Sequence, residues 1–344
     1  MKKNKSICFL VNGNYKIGLG HVYRCLTIST ESNKRGVSTF FIIPNIPVLK
    51  NFLTVNKAEF KTVENVVWEN PKLHKTEFAK HLLNVDIVLL DLLEEQFFKF
   101  YFLSKINIKI ASIISFYYSE DNRYEDICFF PGIEVKEKLF IQNKNNKTKL
   151  LSGPKYLTFR KEFCKKFEKE FNEEVPEILI TMGGTDAFGF SLIAVKSLLD
   201  LDIDYKATII MGAGALTLDE VNELVFKKPN IKIESNVNNI AQLMHSSTIA
   251  LINGGLTRYE LAITGTPFIA LSIHDIQYKI TERITSVVGG VNLGVVEDIK
   301  KEDITYAVKK LILDIEKRKL ISYKLQELID SEGTERILNC LESL

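Results

Sequence analysis

The chain has 344 residues, of which 46% are hydrophobic and 26% charged, so it is long enough for two globular domains. Its 45 Lys and Arg side chains nearly balance its 43 Asp and Glu side chains, and a net charge of +2 gives no reason to expect nucleic acid as the main partner. Its five cysteines stand far apart without a CxxC pair, which argues against a zinc site and favours reduced thiols.

The first apolar run, residues 7–11, follows a basic start but is too short for the core of a secretory signal peptide. It fits a buried strand instead. No apolar run approaches ~20 residues, so no membrane span is expected. These features predict a cytoplasmic protein.

In the first half of the chain, short β-type runs alternate with helical patterns. Strands are predicted at residues 7–11, 39–43, 87–90, 108–114 and, more weakly, 127–130. Helices are predicted at residues 21–34, 48–55 and 95–105.

The alternation continues through the second half. Strands are predicted at residues 178–182, 207–211, 231–233, 249–252 and 268–271. Helices are predicted at residues 191–199, 218–226, 240–245, 257–264 and 276–287. The chain then ends in helical segments near residues 303–316, 320–329 and 335–341.

This alternation predicts βαβ units, mostly parallel sheets and helices on both sheet faces. The pattern restarts after a Gly153-Pro154 turn, so we place a domain boundary near residue 155. The predicted fold is α/β, with two Rossmann-like doubly wound domains, residues 1–155 and 156–344, that face an interdomain cleft. The last helix is a candidate to return to the N-terminal domain.

The stretch NGNYKIGLGHVYRCLTIS, residues 12–29, turns through Gly18 and Gly20 into a helix. Because ligands bind at the carboxyl ends of strands in open α/β sheets, this loop is expected on the functional rim. It does not fit a dinucleotide loop, because Tyr23 stands where GxGxxG requires its third glycine and no acidic residue ends the next strand.

His21 falls in the first turn of the predicted helix, where the helix dipole disfavours a positive charge and favours a neutral imidazole. A neutral imidazole can act as a general base. Arg24 follows at the spacing that shares one helical face with His21. The alternative is a histidine that only caps or packs the turn.

Besides a weaker glycine turn, IMGAGA at residues 210–215, two glycine-rich turns follow strands in the second half, and the first is MGGTD, residues 182–186. Gly183 and Gly184 allow a ligand to approach the backbone closely. The alternative is a structural role, in which Thr185 or Asp186 caps the next helix.

The second turn, NGGLTRYE, covers residues 253–260. The amides of Gly255, Leu256 and Thr257 at a helix start can hold a diphosphate without a lysine. Glu260, one turn further, can accept hydrogen bonds from a ribose diol, and the alternative is a surface carboxylate.

Five motifs in order along nearly the whole chain resemble the GT-B group. More narrowly, they resemble the hydrolases that remove UDP from UDP-2,4-diacetamido-2,4,6-trideoxy-β-L-altropyranose on the way to pseudaminic acid, and the related spore-coat-polysaccharide proteins. The motifs are IGLGHVYRCLTIS (17–29), SGPKYLTFRKEF (152–163), MGGTD (182–186), the segment from NVNNIAQ to PFIAL (236–271) and DSEGTERI (330–337).

The resemblance implies the site residues. The expected catalytic residue is His21, as the general base. The expected substrate- and nucleotide-binding residues are Gly18, Gly20, Arg24, Tyr156, Gly183, Gly184, Thr185, Gly255, Leu256, Thr257, Glu260 and Gln277. Tyr156 and Arg160 would line the interdomain cleft, with a linker salt bridge as the alternative for Arg160. No cofactor or metal is implied, because GT-B sites usually hold the diphosphate with dipoles and side chains.

The chain departs from the hydrolase pattern at three places expected to line the sugar pocket. They are DLL at residues 91–93, SFY at 115–117 and IQ at 276–277. The nucleotide half keeps the pattern better than the sugar half.

The favoured function is hydrolysis of the anomeric C–O bond of a UDP-(amino)sugar, in nonulosonic-acid or surface-polysaccharide biosynthesis. The main alternative is a GT-B glycosyltransferase, because water and an acceptor hydroxyl make similar demands on a base. A third is a non-catalytic nucleotide-sugar-binding protein. The expected partner is a UDP-sugar, without nucleic acid or a membrane span, although a transferase would allow peripheral membrane association.

Overall fold

The computed structural model describes residues 5–14, 18–114, 123–133, 148–171, 174–183, 186, 188–212, 215–235 and 237–344, without the side chain of Glu94. The chain forms two compact units. The N-terminal unit comprises residues 1–160 and 331–344, and the C-terminal unit comprises residues 161–330.

The described part of the N-terminal unit is built on one parallel sheet. Its strands are β1 (Ser6–Val11), β2 (Ser38–Pro44), β3 (Phe60–Val63), β4 (Ile87–Asp91), β5 (Lys109–Ile113), β6 (Ile127–Phe130) and β7 (Lys149–Ser152). The strand order is β3-β2-β1-β4-β5-β6-β7. The first helices are α1 (Gly20–Lys34), α2 (Pro47–Val55), α3 (Asn65–Glu69), α4 (Lys75–His81) and α5 (Glu94–Phe97).

Both faces of this sheet are buried. Phe9 and Val11 of β1 pack with α1 and α2 on one face, whereas Cys8 and Leu10 pack on the other with aromatic side chains from α3, α4 and the 3-10 segment Phe98–Lys105. Successive side chains of a strand point to opposite faces. This is why β1 has an uninterrupted apolar sequence, as a strand buried on both sides requires.

The C-terminal unit repeats this plan with a second parallel sheet. Its described strands are β8 (Glu177–Thr181), β9 (Lys206–Ile210), β10 (Ile231–Glu234), β11 (Ile249–Asn253), β12 (Phe268–Ser272) and β13 (Val291–Val295). The strand order is β10-β9-β8-β11-β12-β13. Its helices are α6 (Phe190–Leu198), α7 (Leu218–Val225), α8 (Ile240–Ser246), α9 (Thr257–Thr264), α10 (Asp275–Val288), α11 (Lys301–Leu313) and α12 (Ile315–Leu328).

The last helix, α13 (Gly333–Glu342), belongs to the N-terminal unit. Its buried side chains Ile337, Leu338 and Leu341 lie in the same core cluster as α1. Arg35, which follows α1, forms ion pairs with two glutamates of α13. The core of this unit therefore contains side chains from both ends of the chain.

The predicted α/β class, with two Rossmann-like doubly wound domains, is confirmed. Both sheets have the strand order of that fold, in which the chain first builds outward on one side of the first strand and then returns to the other side. None of the described helices is long and apolar enough to cross a lipid bilayer.

The structure differs from the predicted elements in several respects. Strands β3, β7 and β13 and helices α3 and α4 were not predicted. The predicted helix 95–105 is the short α5 followed by the 3-10 segment. The predicted helix 303–316 is divided at Asp314, whose carboxylate accepts the Lys317 amide at 2.9 Å and caps α12.

Candidate active site

Each sheet reverses its strand order at one point, between β1 and β4 in the N-terminal unit and between β8 and β11 in the C-terminal unit. In doubly wound folds, the ligand crevice lies at the carboxyl ends of the strands at this point. In the N-terminal unit these ends lead into the loop before His21 and to Asp91. In the C-terminal unit they lead to Gly183 and to the turn of residues 253–255.

The loop before α1 closes through Gly18. Its φ of +81° lies in the left-handed region that favours glycine, and its amide donates to the Asn14 carbonyl oxygen at 2.7 Å. Helix α1 then begins at Gly20. His21 therefore lies in the first turn of the helix, as predicted.

His21 contacts a buried carboxylate. Its Nδ1 lies 2.5 Å from Oδ1 of Asp91, the last residue of β4, and its side chain is 16% exposed whereas that of Asp91 is fully buried. Arg24, one turn further along α1, donates from Nε to Oδ2 and from Nη2 to Oδ1 of Asp91, both at 2.7 Å. We refer to these three side chains as the His21–Asp91–Arg24 cluster.

Arg24 and His21 determine the ionisation state of Asp91. Burial by itself would raise the pKa of this carboxyl, but the charges of Arg24 and His21 and their hydrogen bonds lower the pKa below its usual range. Asp91 is therefore a carboxylate. Burial, reinforced by the charge of Asp91, raises the pKa of the neighbouring Cys25 thiol, which keeps Cys25 protonated and unreactive.

Asp91 also fixes the orientation of the imidazole. An imidazole that donates from Nδ1 to a carboxylate presents Nε2 as an acceptor, and the carboxylate stabilises the imidazolium that forms when Nε2 takes a proton. Nε2 of His21 has no hydrogen-bond partner within the described part of the chain. This geometry can remove a proton from water or from an alcohol.

Two other residues predicted at this site lie elsewhere in the N-terminal unit. Tyr156 is buried in the core cluster. The guanidinium of Arg160 lies 5.7 Å from the centre of the half-exposed Tyr23 ring on α1. The structure thus brings Arg24 to His21 but leaves Tyr156 in the core.

In the C-terminal unit, Asn253 holds the turn between β11 and α9. Its Nδ2 donates to the Met182 carbonyl oxygen at 3.0 Å, and its Oδ1 accepts the Gly255 amide at 3.2 Å. The Gly255 amide is therefore occupied. The amides of Leu256 and Thr257 have no acceptor among the described residues and are available to an anion.

Side chains of helix α10 pack against the same turn. A Cβ on Gly254 would lie 2.5 Å from Oγ1 of Thr281 and 2.7 Å from Cγ of Gln277, so only glycine fits this position. Oε1 of Gln277 accepts the Ile273 amide at 2.6 Å. Gln277 therefore packs against the turn and also accepts a hydrogen bond from the backbone just before its own helix, α10.

The remaining predicted residues of this turn lie together at the start of α9. Thr257 is the first residue of the helix, and Glu260 follows within the first turn. The Glu260 side chain is partly exposed, and Leu256 is 39% exposed. Leu256, Thr257 and Glu260 therefore lie in the same part of the chain as the two available amides.

In the MGGTD turn, Gly183 adopts a backbone conformation that favours glycine, and Asp186 caps the helix that follows. Gly183, directly after β8, has a φ of +85°. The Asp186 carboxylate accepts the amides of Phe190 and Ser191 at 2.9 and 3.0 Å, so the capping alternative is confirmed for Asp186. Gly184 and Thr185 lie outside the described residues, as do residues 115–117 of the predicted sugar pocket.

A cavity of about 690 Å³ lies along β13 between α10 and α11, and its lining extends from residues 289–293 to Asp298, Ile299 and Asp303. Among the described residues, no three His, Cys, Asp or Glu side chains are grouped as metal ligands would be.

Three contacts at these sites were not predicted. Asp91 was noted only as part of a motif that departs from the hydrolase pattern, although an acidic residue that ends a buried apolar strand signals a buried partner. Gln96 accepts from Nδ2 of Asn12 at 3.3 Å beyond the end of β1. Arg258 donates to the carbonyl oxygens of the 253–255 turn, and no sequence pattern distinguished it from a surface arginine.

No protein-family model matches the sequence. The uncharacterised protein MJ1062 of Methanocaldococcus jannaschii is 29% identical over 291 residues, which cover 79% of this chain and 56% of that protein. The chain thus spans little more than half the length of that relative. The spore coat polysaccharide biosynthesis protein SpsG of Bacillus subtilis is 22% identical over 97% of this chain and 96% of its own length.

Solved structures match over nearly the whole chain. MurG of Acinetobacter baumannii has a TM-score of 0.69 at 13% identity, covering 99% of this chain and 100% of its own. The calicheamicin glycosyltransferase CalG4 has a TM-score of 0.68 at 13% identity, covering 99% and 98%. Anabaena HepE, in complex with UDP and glucose, has a TM-score of 0.61 at 15% identity, covering 99% and 100%. Several structural neighbours, CalG4 among them, are glycosyltransferases by title, and this chain has the GT-B fold of two Rossmann-like domains.

Proposed function

We propose that this protein is a nucleotide-sugar hydrolase that cleaves the anomeric C–O bond of a UDP-(amino)sugar. The observation that carries the proposal is the contact of His21 with the buried carboxylate of Asp91 at the switch point of the N-terminal sheet. A general base needs an available nitrogen, and here a buried carboxylate fixes the imidazole and can stabilise the imidazolium that forms.

The comparisons support a nucleotide sugar as the substrate class. HepE was solved with UDP and glucose, and SpsG is named for polysaccharide biosynthesis. The ordered sequence motifs resemble hydrolases of a UDP-linked diacetamido sugar. A UDP-(amino)sugar is therefore the substrate we propose, in nonulosonic-acid or surface-polysaccharide biosynthesis.

In the proposed reaction, Nε2 of His21 takes a proton from water as the water oxygen bonds to the anomeric carbon. The bond from that carbon to the UDP oxygen breaks, and its electron pair leaves with the diphosphate. Asp91 stabilises the imidazolium until it returns the proton to solvent. The amides of Leu256 and Thr257 and the dipole of α9 stabilise the negative charge on the departing diphosphate.

The remaining predicted residues take supporting roles in the proposal. Glu260 accepts hydrogen bonds from the ribose diol. Gly183 provides backbone close to the ligand, and the sequence motif assigns Gly184 and Thr185 to the same role. Gln277 fixes the 253–255 turn through its contact with Gly254.

The second candidate function is glycosyl transfer, which the glycosyltransferase CalG4 among the structural neighbours favours. An acceptor hydroxyl would replace water, and His21 would remove its proton in the same way. The chemistry of the base is common to both candidates.

The experiment incubates the chain with a panel of UDP-, GDP- and CMP-sugars and follows release of free nucleotide, with and without added sugar acceptors. We expect release from a UDP-(amino)sugar without an acceptor. Release that occurs only with an acceptor would replace the hydrolase by the transferase. No release under either condition, with tight nucleotide-sugar binding, would support the non-catalytic alternative.

A further inference from the structure

Arg258, the second residue of α9, lies beneath the 253–255 turn. It is 6% exposed. Its Nη1 donates to the carbonyl oxygens of Gly254 and Gly255, both at 2.6 Å, and its Nη2 donates to the Tyr259 hydroxyl at 3.0 Å. The guanidinium therefore holds the two glycine carbonyls of the turn on the side of the protein interior.

The charge of Arg258 has no anionic partner among the described residues. Its hydrogen-bond acceptors are neutral, and the guanidinium lies 4.3 Å from the centre of the Tyr259 ring. Its Nε is buried without a hydrogen-bond partner in the described structure. A buried cation that no carboxylate balances is costly, and the positive end of the α9 dipole adds to that cost.

The same arrangement becomes favourable when an anion binds at the turn. The amides of Leu256 and Thr257 are the groups left for that anion, because Asn253 occupies the amide of Gly255. By fixing the Gly254 and Gly255 carbonyls inward, Arg258 keeps their negative ends away from the anion. Its charge adds a positive potential that a neutral hydrogen-bond donor would not supply.

We propose that Arg258 is a positioning residue for the diphosphate of a bound nucleotide, acting through the turn and through its charge. This inference rests on the proposed function, since it requires a nucleoside diphosphate in the C-terminal unit. It adds a buried residue that determines how strongly the site prefers a diphosphate over a monophosphate.

The C-terminal unit offers a matched control in Arg318 on α12. This arginine is 4% exposed, and its Nη1 donates to the carbonyl oxygens of Leu311 and Ile312 at the end of α11. Arg258 and Arg318 are thus both buried and both hold carbonyl oxygens. The carbonyl oxygens that Arg258 holds belong to the 253–255 turn, whereas those that Arg318 holds lie at the end of α11.

The experiment measures affinities for UDP and UMP by calorimetry in the wild-type chain and in Arg258→Met, Arg258→Lys and Arg318→Met. We expect Arg258→Met to weaken UDP binding by about 30-fold, in the range of a hydrogen bond to a charged group, and UMP binding by less. Arg258→Lys keeps the charge but lacks the planar guanidinium that holds both carbonyls, so it is expected to weaken UDP binding by less than Arg258→Met does. Arg318→Met is expected to keep the wild-type ratio of UDP to UMP affinity.

Thermal unfolding with and without UDP is a second measurement, and it can be applied to a variant that is less stable than the wild-type chain. The melting temperature that saturating UDP adds is expected to fall in Arg258→Met and to persist in Arg318→Met, whatever their ligand-free stabilities. An unchanged UDP to UMP ratio in Arg258→Met, or an equal change in Arg318→Met, would overturn the inference and leave the proposed function standing. A wild-type chain that binds no nucleoside diphosphate would overturn both.

Discussion

The contact between His21 and Asp91 joins residues that lie 70 positions apart in the chain. It exists because β1 and β4 are neighbours in the sheet, with Val11 paired to Asp91. Arg24 donates to both oxygens of this carboxylate. The orientation of the imidazole is therefore set by a partner that two hydrogen bonds hold in place.

Replacement of Asp91 by asparagine tests this positioning role. Asp91→Asn keeps the shape but removes the charge that stabilises the imidazolium and selects the tautomer. We expect kcat for nucleotide release to fall about 100- to 10,000-fold with a smaller change in KM. Asp126→Asn, on the same unit but paired with Lys109 outside the His21–Asp91–Arg24 cluster, is the control, and an equal loss there would contradict the assignment.

The lowered pKa of Asp91 makes a second residue-level prediction, on stability. A carboxyl whose pKa is lower in the folded state stabilises that state fully above its unfolded pKa of about 3.9, and the contribution is lost as pH falls from there through the native pKa. The free energy of unfolding should therefore decrease on acidification below about pH 4.

Urea denaturation at neutral and acid pH measures this effect. Wild type is expected to lose more stability on acidification than Asp91→Asn, which has no carboxyl to protonate at this position. Equal losses in the two proteins would show that Asp91 is not the group responsible. Asp91→Ala should be less stable than wild type by about 3–5 kcal/mol at neutral pH, because it removes the carboxylate to which Nε and Nη2 of the buried Arg24 donate.

At the residue scale, local sequence patterns could identify His21 but not its partner. The glycines and the helix start place His21 on the functional rim, and the structure has it there. The partnership with Asp91 depends on which strands are neighbours, and no local pattern specifies that. For the same reason, the buried charge of Arg258 could not be told from a surface charge.

At the scale of elements, the 253–255 turn depends on close packing between α9 and α10. Gly254→Ala would place a Cβ within 2.5 Å of Oγ1 of Thr281, so the turn or α10 must shift. We expect UDP affinity to fall at least about tenfold, because the amides at the start of α9 lose their alignment.

Gly290→Ala is the matched control for that variant. Its Cβ would meet Cγ2 of Thr285 at 3.2 Å, a tight contact at the amino end of β13. Calorimetric titration with UDP should show wild-type affinity in this variant. Equal losses in both variants would indicate a general effect on the unit and not a role for the turn.

The elements that could be predicted are the buried ones. Central strands such as β1, β4, β8 and β11 each contain an apolar run of three to five residues, because both of their faces are covered. The missed strands β3, β7 and β13 are sheet edges, which are short and partly polar because one side stays unpaired. In the segment after Phe97, the spacing of buried aromatic side chains does not follow a regular helical period, and the structure forms a 3-10 segment there.

At the scale of the whole molecule, the N-terminal unit depends on the far end of the chain. A Cβ on Gly333 would lie 1.9 Å from the Leu157 carbonyl oxygen, so α13 starts against the backbone of the segment that ends this unit's first part. Gly333→Ala must displace α13 and is expected to destabilise the protein by about 1–3 kcal/mol.

Denaturant unfolding of Gly333→Ala measures that loss. The control is Glu342→Ala, which removes a surface ion pair of the same helix and is expected to change stability by less than about 1 kcal/mol. If Gly333→Ala were as stable as the control, the close contact with Leu157 would not constrain α13.

The fold itself was predictable because alternating buried strands and amphipathic helices admit few topologies. The reaction could not be predicted in the same way, because hydrolases and transferases can share the fold and the base. The whole-chain likeness to GT-B proteins therefore leaves the choice of nucleophile to the site.

The most direct test of the central claim runs the reaction on a UDP-(amino)sugar in water labelled with heavy oxygen, without an acceptor, and analyses the products by mass spectrometry. If water activated by His21 attacks the anomeric carbon, the label appears in the sugar hydroxyl at that carbon and not in UDP, and His21→Ala abolishes its transfer. Label in the phosphate of UDP, or undiminished transfer in His21→Ala, would contradict the proposed mechanism.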